Sequence, residues 1–558
     1  MPRRAPAGEK QQYLQFVTID PSSNRENSNL RRIVRSHAGG WVWRRLLESQ
    51  DSLQADPGVD DEFEIETGLI VHEKTVQSRP RSTPKSDKPN HPIAGILSEA
   101  SRDFVPKPVQ RAGNGNPSMQ LSSVSSEKLD PFQSYTSTSP LPNGLVSSSN
   151  KYCLSVVWPG VMPGPSSIGS IPHAGIESWF SSSLSHPALH SAMLYGSYSH
   201  RRIMWLQKRQ SEFSGNDERE MAICEADSIR RINLAIRDPS EAFTDALVLC
   251  VLCMANNKNE PPLGPDDMES PFQSPLRSLQ WLDVYGRLKP HPVHQNGLVQ
   301  LVQLKGGLKK IKLPGLAGVI AFSSVLYASR SLSPPTFPCI SVHESASLTL
   351  QDIIGFQHPV STMHSEIVAE LPITYEVQDI FRAARAYLAL VDKYQDGVQV
   401  ALDTLADFRN SIQWYIMSLL PASQLESTLM DAYPLYESCR LALVIMGVGV
   451  VFPLPPQSAP LLNLARILQT ELQSIKDTSK AYSSVNIKLV SWCMTLGGIA
   501  ATGSPLRTWY VEEIQRLAGP CGLPGWDRIK QDLKMILWLD KACDSAGRLF
   551  WEEALCLR

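Results

Sequence analysis

The sequence lacks most features that would place it quickly. It has no long hydrophobic run: the longest, Ala246 to Ala255, is about half of the ~20 residues needed to span a bilayer. It has no excess of charge of one sign. Its 53 Lys+Arg against 55 Asp+Glu leave a net charge of −2 over 558 residues, so the chain as a whole is not a nucleic-acid coat. Cysteine is sparse. Cys153, Cys224, Cys250, Cys253, Cys339, Cys439, Cys493, Cys521, Cys543 and Cys556 sit mostly in apolar stretches, where a free thiol behaves as a small hydrophobe. That usage predicts a reducing compartment. Met1 to Gln12 is polar and lacks the apolar core of a signal peptide. These absences exclude collagen, a disulfide knot and a multispan membrane protein. They predict a soluble, intracellular chain. Proline is not scarce: 42 positions, beside 42% hydrophobic residues, predict a folded body that carries an irregular part.

Catalytic signatures are also missing. The phosphate-cradling G-x-x-x-x-G-K-[ST] does not occur; Lys305-Gly306-Gly307-Leu308-Lys309-Lys310 is basic and Gly-bearing but reads as a helix stop followed by a turn. Gly164 to Gly169 only approximates the nucleophile elbow G-x-S-x-G. His186 and His190 have i,i+4 spacing without the Glu of H-E-x-x-H, and Pro187 makes His186 a flanking residue. His291 and His294 read as a loop pair with no third ligand nearby in sequence. Cys250 and Cys253 have C-x-x-C spacing inside an apolar helix, whereas a redox pair wants an exposed, electropositive helix start. The first cysteine is Cys153, so the N-terminal part cannot hold a six-cysteine, two-zinc module. The expectation is no metal, no cofactor and no enzymatic activity.

What is present divides the chain near residue 150. Residues 1–50 form a basic arm: Arg31, Arg32, Arg35, Arg44 and Arg45 occur with His37, Trp41 and Trp43 and no acid among them. The arginines are candidate phosphate contacts or an import patch; a solvated charge run is the plain alternative. Such a run gives salt-sensitive affinity but no base readout. Residues 51–150 read as a disordered linker, acidic and then Ser/Pro-rich. Asp51 to Glu73 interleaves acids with Phe63, Ile65, Leu69 and Ile70, the pattern of an activation segment or of an ordinary acidic linker. Serine fills ten of the thirty positions from Leu121 to Asn150, too little apolar surface to offset ~1–2 kcal/mol of backbone entropy per residue.

Residues 151–558 read as all-α, built from antiparallel helix pairs. Val377, Ile380, Phe381, Ala384, Leu388 and Val391 recur at steps of three and four, as do Leu461, Leu464, Ala465, Leu468 and Leu472, and Ile529, Leu533, Ile536 and Leu537. Ser240 after Pro239, with Glu241 in the first turn, predicts a helix start. A helix ending at Lys305 meets the stop Gly306-Gly307. Tyr152 to Trp158 is the one strand candidate. No fixed-period repeat supports a solenoid.

Several motifs, in order along the chain, resemble the fungal-specific transcription factor domain family, in the branch whose members often lack a zinc cluster. They are Phe16-Val17, Pro21 and Arg32-Ile33-Val34-Arg35-Ser36-His37-Ala38; Leu301 to Leu308; Tyr436-Glu437-Ser438-Cys439-Arg440-Leu441-Ala442; Val451 to Pro456; Trp492 with Gly497 to Ala500; Arg507-Thr508-Trp509-Tyr510; and Trp526 with Leu537 to Asp544. Gly39 to Trp43 departs from the more basic continuation of that arm. The resemblance implies a helical regulatory and interaction domain, transcriptional control, nuclear residence and transcriptional partner proteins. DNA would be reached through a partner or the arm, not through a zinc cluster. A non-DNA-binding helical scaffold protein is the alternative. Arg440 and Arg507 are expected to satisfy helix ends or a carboxylate such as Glu437 or Asp540. Trp492, Trp509, Trp526 and Trp538 are expected in the core.

Overall fold

The computed structural model describes residues 139–164, 174–209, 212–258, 269–343, 347–356, 373–426, 433–476, 484–518 and 523–556. These residues are all-α, with no strand among them. The arm and the segment through Thr138 lie outside them. The first described helix, α1 (Asn143–Tyr152), begins upstream of the boundary expected at 151 and already buries Val146, Ser149 and Asn150.

Tyr152 to Trp158 is helical, not a strand. A π-helical turn over Cys153–Val157 links α1 to α2 (Trp158–Val161). Cys153, Leu154, Val157 and Trp158 are buried, a helical spacing that a strand's alternation could not bury on one face. The β-branched Val156 and Val157 favoured a strand locally, but tertiary packing decided the matter.

Around this segment stand α3 (Ala174–Ser185), α4 (Pro187–Leu206), α5 (Gly215–Ala235), α6 (Asp245–Asn256), the short α7 (Leu282–Tyr285), α8 (Pro292–Leu304) and α9 (Leu316–Ser331). Pro187 and Pro292 open α4 and α8, where a missing N–H costs nothing. Ser214 and Asp217 form a capping box on α5. The apolar run of α6 is buried on almost every side, with α4 and α8 packed against it. Its cap is Thr244, whose Oγ1 accepts from the Leu247 N–H at 3.2 Å. Ser240 does not start a helix: the Asp238 carboxylate accepts from its N–H and hydroxyl and holds a turn. α8 stops as expected, with Gly306 at φ 94° and Gly307 at φ 89°.

The second group comprises α10 (Leu350–Phe356), α11 (Tyr375–Gln395), α12 (Leu402–Ser418), α13 (Tyr436–Met446), α14 (Leu461–Lys476), α15 (Ser484–Ala500), α16 (Leu506–Ala518), α17 (Trp526–Ile536) and α18 (Asp540–Cys556). The three expected periodic faces are buried, on α11, α14 and α17. Leu537 is buried too, but it lies past the end of α17 in extended backbone.

Two large hydrophobic cores result among the described residues, with a small third cluster of Ile203, Val284 and Leu288. The first gathers residues from Leu141 to Val342 around α4 and α6; the second gathers residues from Phe272 to Ala554 around α13 and α15. They meet where α9 packs on α12. There Arg409 is fully buried. Its guanidinium donates to the Leu279 carbonyl at 2.9 Å, Gln280 Oε1 at 2.7 Å and Asn410 Oδ1 at 3.1 Å. The ring centres of Phe452 and Phe322 lie 5.0 and 5.8 Å from its central carbon. Burial lowers its pKa to about 10, which still leaves it charged at neutral pH. The same knot holds an uncommon backbone. Gln280 and Trp281 are consecutive non-glycine residues at φ 54° and 53°, a left-handed conformation that costs about 1–2 kcal/mol each. Gln280 Nε2 reaches the Val161 carbonyl at 3.2 Å and Trp281 Nε1 the Val157 carbonyl at 3.1 Å, tying α2 into the join.

Candidate functional site

The expected site residues of the N-terminal part, Arg31, Arg32, Arg35, His37, Arg44 and Arg45 together with Phe63, Ile65, Leu69 and Ile70, lie outside the described residues. So does most of Gly164 to Gly169. The histidine and cysteine pairs are placed. His186 precedes α4, and its Nδ1 lies 2.9 Å from the Ser182 carbonyl; His190 is buried inside α4, with Nε2 3.3 Å from Asn150 Oδ1. His294 is not in a loop. It is buried in α8, with burial and then the neighbouring His291 lowering its pKa to about 3. Cys250 is buried on α6 and its thiol donates to the Ala188 carbonyl at 3.2 Å. No group of three or more metal-binding side chains occurs among the described residues, and no helix there is long and apolar enough to cross a membrane.

The motifs of the C-terminal part converge on the second core. Arg440 forks onto Glu437 at 2.9 and 2.6 Å. Arg507 pairs with Glu553 at 2.6 Å and donates to the Gly498 carbonyl at 2.9 Å, whereas Asp540 is held by Lys530 and Lys534. Trp492 donates to the Leu537 carbonyl at 2.8 Å, Trp538 to Asp544 Oδ1 at 2.8 Å, and Trp526 packs edge-on against Trp538. Trp492, Trp526 and Trp538 are buried and Trp509 is half-buried. These residues hold helices to one another.

The room in the molecule lies elsewhere. A cavity of about 70 Å³ sits inside the first core, between the α1–α2 segment, α4, α6 and α9. That is space for several waters at roughly 10–15 Å³ each, and less than the ~150 Å³ that admits benzene in an engineered apolar cavity. Val157, Trp158, Leu249, Leu252, Val319 and Leu326 make its walls, and no charged side chain lines it. Burial pushes the Cys253 thiol up to about 12 and the Cys153 thiol and Tyr285 hydroxyl higher still, so its titratable groups are neutral at physiological pH.

Its polar groups are unevenly satisfied. Ser197 donates to the Leu194 carbonyl at 2.9 Å, and Asn256 Oδ1 accepts from Ser323 at 2.9 Å. Asn257 is 5% exposed and gives its Nδ2 to the Cys253 carbonyl at 2.7 Å. Asn257 Oδ1 accepts nothing among the described residues. An acceptor left so costs about 1–3 kcal/mol.

Two further hollows continue from this cavity along α9. A neck of about 10 Å³ shares Asn256, Tyr285, Ser323 and Leu326 with it and adds Leu288, Tyr327 and Arg330. An outer cleft of about 250 Å³ shares Pro290, Tyr327 and Arg330 with the neck and adds Ser331, Gln457 and Ser458. Arg330 is partly buried and donates to the Leu288 carbonyl at 2.6 Å, with no ion pair among the described residues. Burial lowers its pKa, so the charge is held under a desolvation penalty. Tyr285, Asn257 and Arg330 were not singled out by sequence. The only local signals were a Tyr–Gly turn, a polar pair after the α6 run, and one cation ending the apolar α9.

No family model matches the chain, and no characterised protein or solved structure matches it either.

Proposed function

We propose that the chain is a transcriptional regulator that acts through its helical body as a regulatory and interaction module. In this reading it carries no zinc cluster and works in the nucleus. It is recruited to DNA by a partner protein or weakly by the basic arm. One observation supports the reading: the segments from Tyr436 to Asp544 that resemble the fungal-specific transcription factor domain lie on helices and on the turn after Val451 that pack together around the second core. Their tryptophans and arginines serve packing, which fits a scaffold for regulation better than a reaction centre.

The test is to crosslink the tagged full-length chain to chromatin beside a version lacking residues 1–50 and supplied with an unrelated import signal. The expected result is discrete peaks for the full-length protein. Survival of the peaks in the truncated version assigns recruitment to a partner, and their loss assigns it to the arm. An absence of peaks in both, despite nuclear entry, overturns the reading in favour of a scaffold protein acting away from chromatin.

A further inference from the structure

We infer that the outer cleft at the end of α9 is a binding site for a small aromatic monocarboxylic acid, whose carboxylate is taken by Arg330 and Tyr327. The inference stands on this geometry and not on the transcriptional reading. The site is confined to the cleft. The neck behind it, of about 10 Å³, holds no more than one water, so nothing larger passes into the core. The cleft itself offers about 250 Å³, above the ~150 Å³ that admits benzene, so a single ring with its carboxylate fits and leaves room for water.

The ligand's charge follows from Arg330. It lines the cleft, is partly buried and gives an N–H to the Leu288 carbonyl at 2.6 Å. It has no ion pair among the described residues, and no acidic side chain lines the cleft. Its place in the last turn of α9 offsets part of the cost of holding that charge. The donors that remain suit a carboxylate, which a guanidinium takes through two parallel hydrogen bonds. A phosphate dianion would bring a second charge for which no further cation lines the cleft. Tyr327 stands one turn before Arg330 on the same face of α9, is exposed, and lines the cleft with it. Its hydroxyl donates to no group among the described residues, so it is available to the same carboxylate. The body of the ligand follows from the walls. The Tyr327 ring and Pro290 offer the flat apolar surfaces against which an aromatic ring packs. Ser331 and Ser458 give their hydroxyls to the Tyr327 and Pro455 carbonyls and add no charge, so an ammonium or a second carboxylate on the ligand would find no partner.

The test titrates the full chain by ligand-observed NMR with benzoate, benzamide, acetate and inorganic phosphate. Benzoate is expected to bind saturably and at least about tenfold more tightly than benzamide, its uncharged counterpart, as a charge-assisted hydrogen bond would give. Acetate and phosphate are expected to bind more weakly than benzoate. Arg330→Gln is expected to bring benzoate down to the level of benzamide without changing benzamide. Tyr327→Phe serves as a second variant whose fold is secure, because it removes only the hydroxyl of an exposed ring. It is expected to weaken benzoate severalfold. The inference is overturned if benzoate does not saturate, if benzamide or phosphate matches it, or if both variants bind benzoate like the parent. Should Arg330→Gln lose its fold, unchanged benzoate binding by Tyr327→Phe overturns the inference alone. A tie between acetate and benzoate overturns the role given to the ring.

Discussion

The two cores are made of the same material and packed to different ends. In the second, helices approach until glycine is required. A Cβ on Gly449 would lie 2.5 Å from the Phe272 ring, one on Gly497 2.4 Å from Tyr510, and one on Gly498 2.3 Å from Phe550. The first is as tight in places, since a Cβ on Gly160 would run into the Trp281 ring and one on Gly318 into the backbone of Val342, but its central helix α4 lines the cavity with Gly196. Interiors are normally close-packed, so the void is a stability cost that the first core carries, whereas unpartnered buried oxygens occur in both among the described residues, as Asn257 Oδ1 in the first and Gln413 Oε1 and Ser438 Oγ in the second. The difference separates two jobs within one all-α body: the second core anchors helices, and the first keeps room among them.

The largest expected effect is at the join. Arg409→Ala removes a buried charge, leaves Asn410 Oδ1 without a donor, and leaves Gln280 Oε1 and the Leu279 carbonyl with one donor each, Asn410 Nδ2 and the Leu282 N–H. It also frees the left-handed Gln280–Trp281 pair to relax. A loss of about 3–5 kcal/mol is expected, the scale of emptying the site of a large, fully buried side chain and unpairing a buried acceptor. Chemical denaturation read by tryptophan fluorescence should change from one transition to two, as the cores lose their coupling. A variant that unfolds in one transition with less than about 1 kcal/mol lost would mean the cores are joined by apolar packing alone.

A smaller but sharper test uses the same substitution in both cores. Gly449→Ala drives a methyl into Phe272, and overpacking of this kind costs about 1–3 kcal/mol. Gly196→Ala places a methyl in ordinary contact with Asn257 Nδ2, at 3.8 Å, inside α4, where replacing glycine gains up to about 1 kcal/mol of helix propensity. Opposite signs of the thermal shift are expected. Equal signs would show that the two cores do not differ in packing in the way described.

Much of the second core was legible in the sequence, because its helices are amphipathic. On α11 and α14 the apolar period and the burial coincide, so local pattern and tertiary demand agree. Legibility failed where tertiary contacts overrule local preference. The valines before Trp158 suggested a strand, yet that segment is wrapped as a helix around the cavity. Ser240 and Thr244 both precede an acidic residue, and only the Asp238 turn decides between them. Gln280 and Trp281 take backbone angles usual for glycine because Arg409, distant in sequence, holds Gln280 there. The cavity needs side chains from several separate segments, and no periodicity in one segment announces a void among them.

The smallest expected effect is the pH dependence of two histidines, one between the two cores and one inside the first. His343 lies between the two: its Nε2 faces the Pro163 carbonyl at 2.6 Å and its Nδ1 faces Asp407 of α12 at 3.2 Å. Both partners are acceptors, so they favour the imidazolium, which donates from both ring nitrogens. Burial opposes that charge, but the hydrogen bond and charge of Asp407, the Pro163 carbonyl and the charge of Asp403 outweigh it and raise the pKa above the usual 6.5. The stabilisation is therefore fully present below pH 6.5 and is lost as pH rises through the raised folded value. His200, inside the first core, has the opposite sign. Burial, with Arg209 adding to it, lowers its pKa to about 3, so stability is present above pH 6.5 and is lost as pH falls towards that value. The difference in unfolding free energy between parent and His343→Gln should shrink from pH 6 to pH 9, from an initial gap of about 1 kcal/mol or less. His200→Asn should instead flatten the acid limb and leave the alkaline limb alone. A gap for His343→Gln that stays constant with pH would reduce that histidine to packing and remove the charge from the contact between Pro163 and α12.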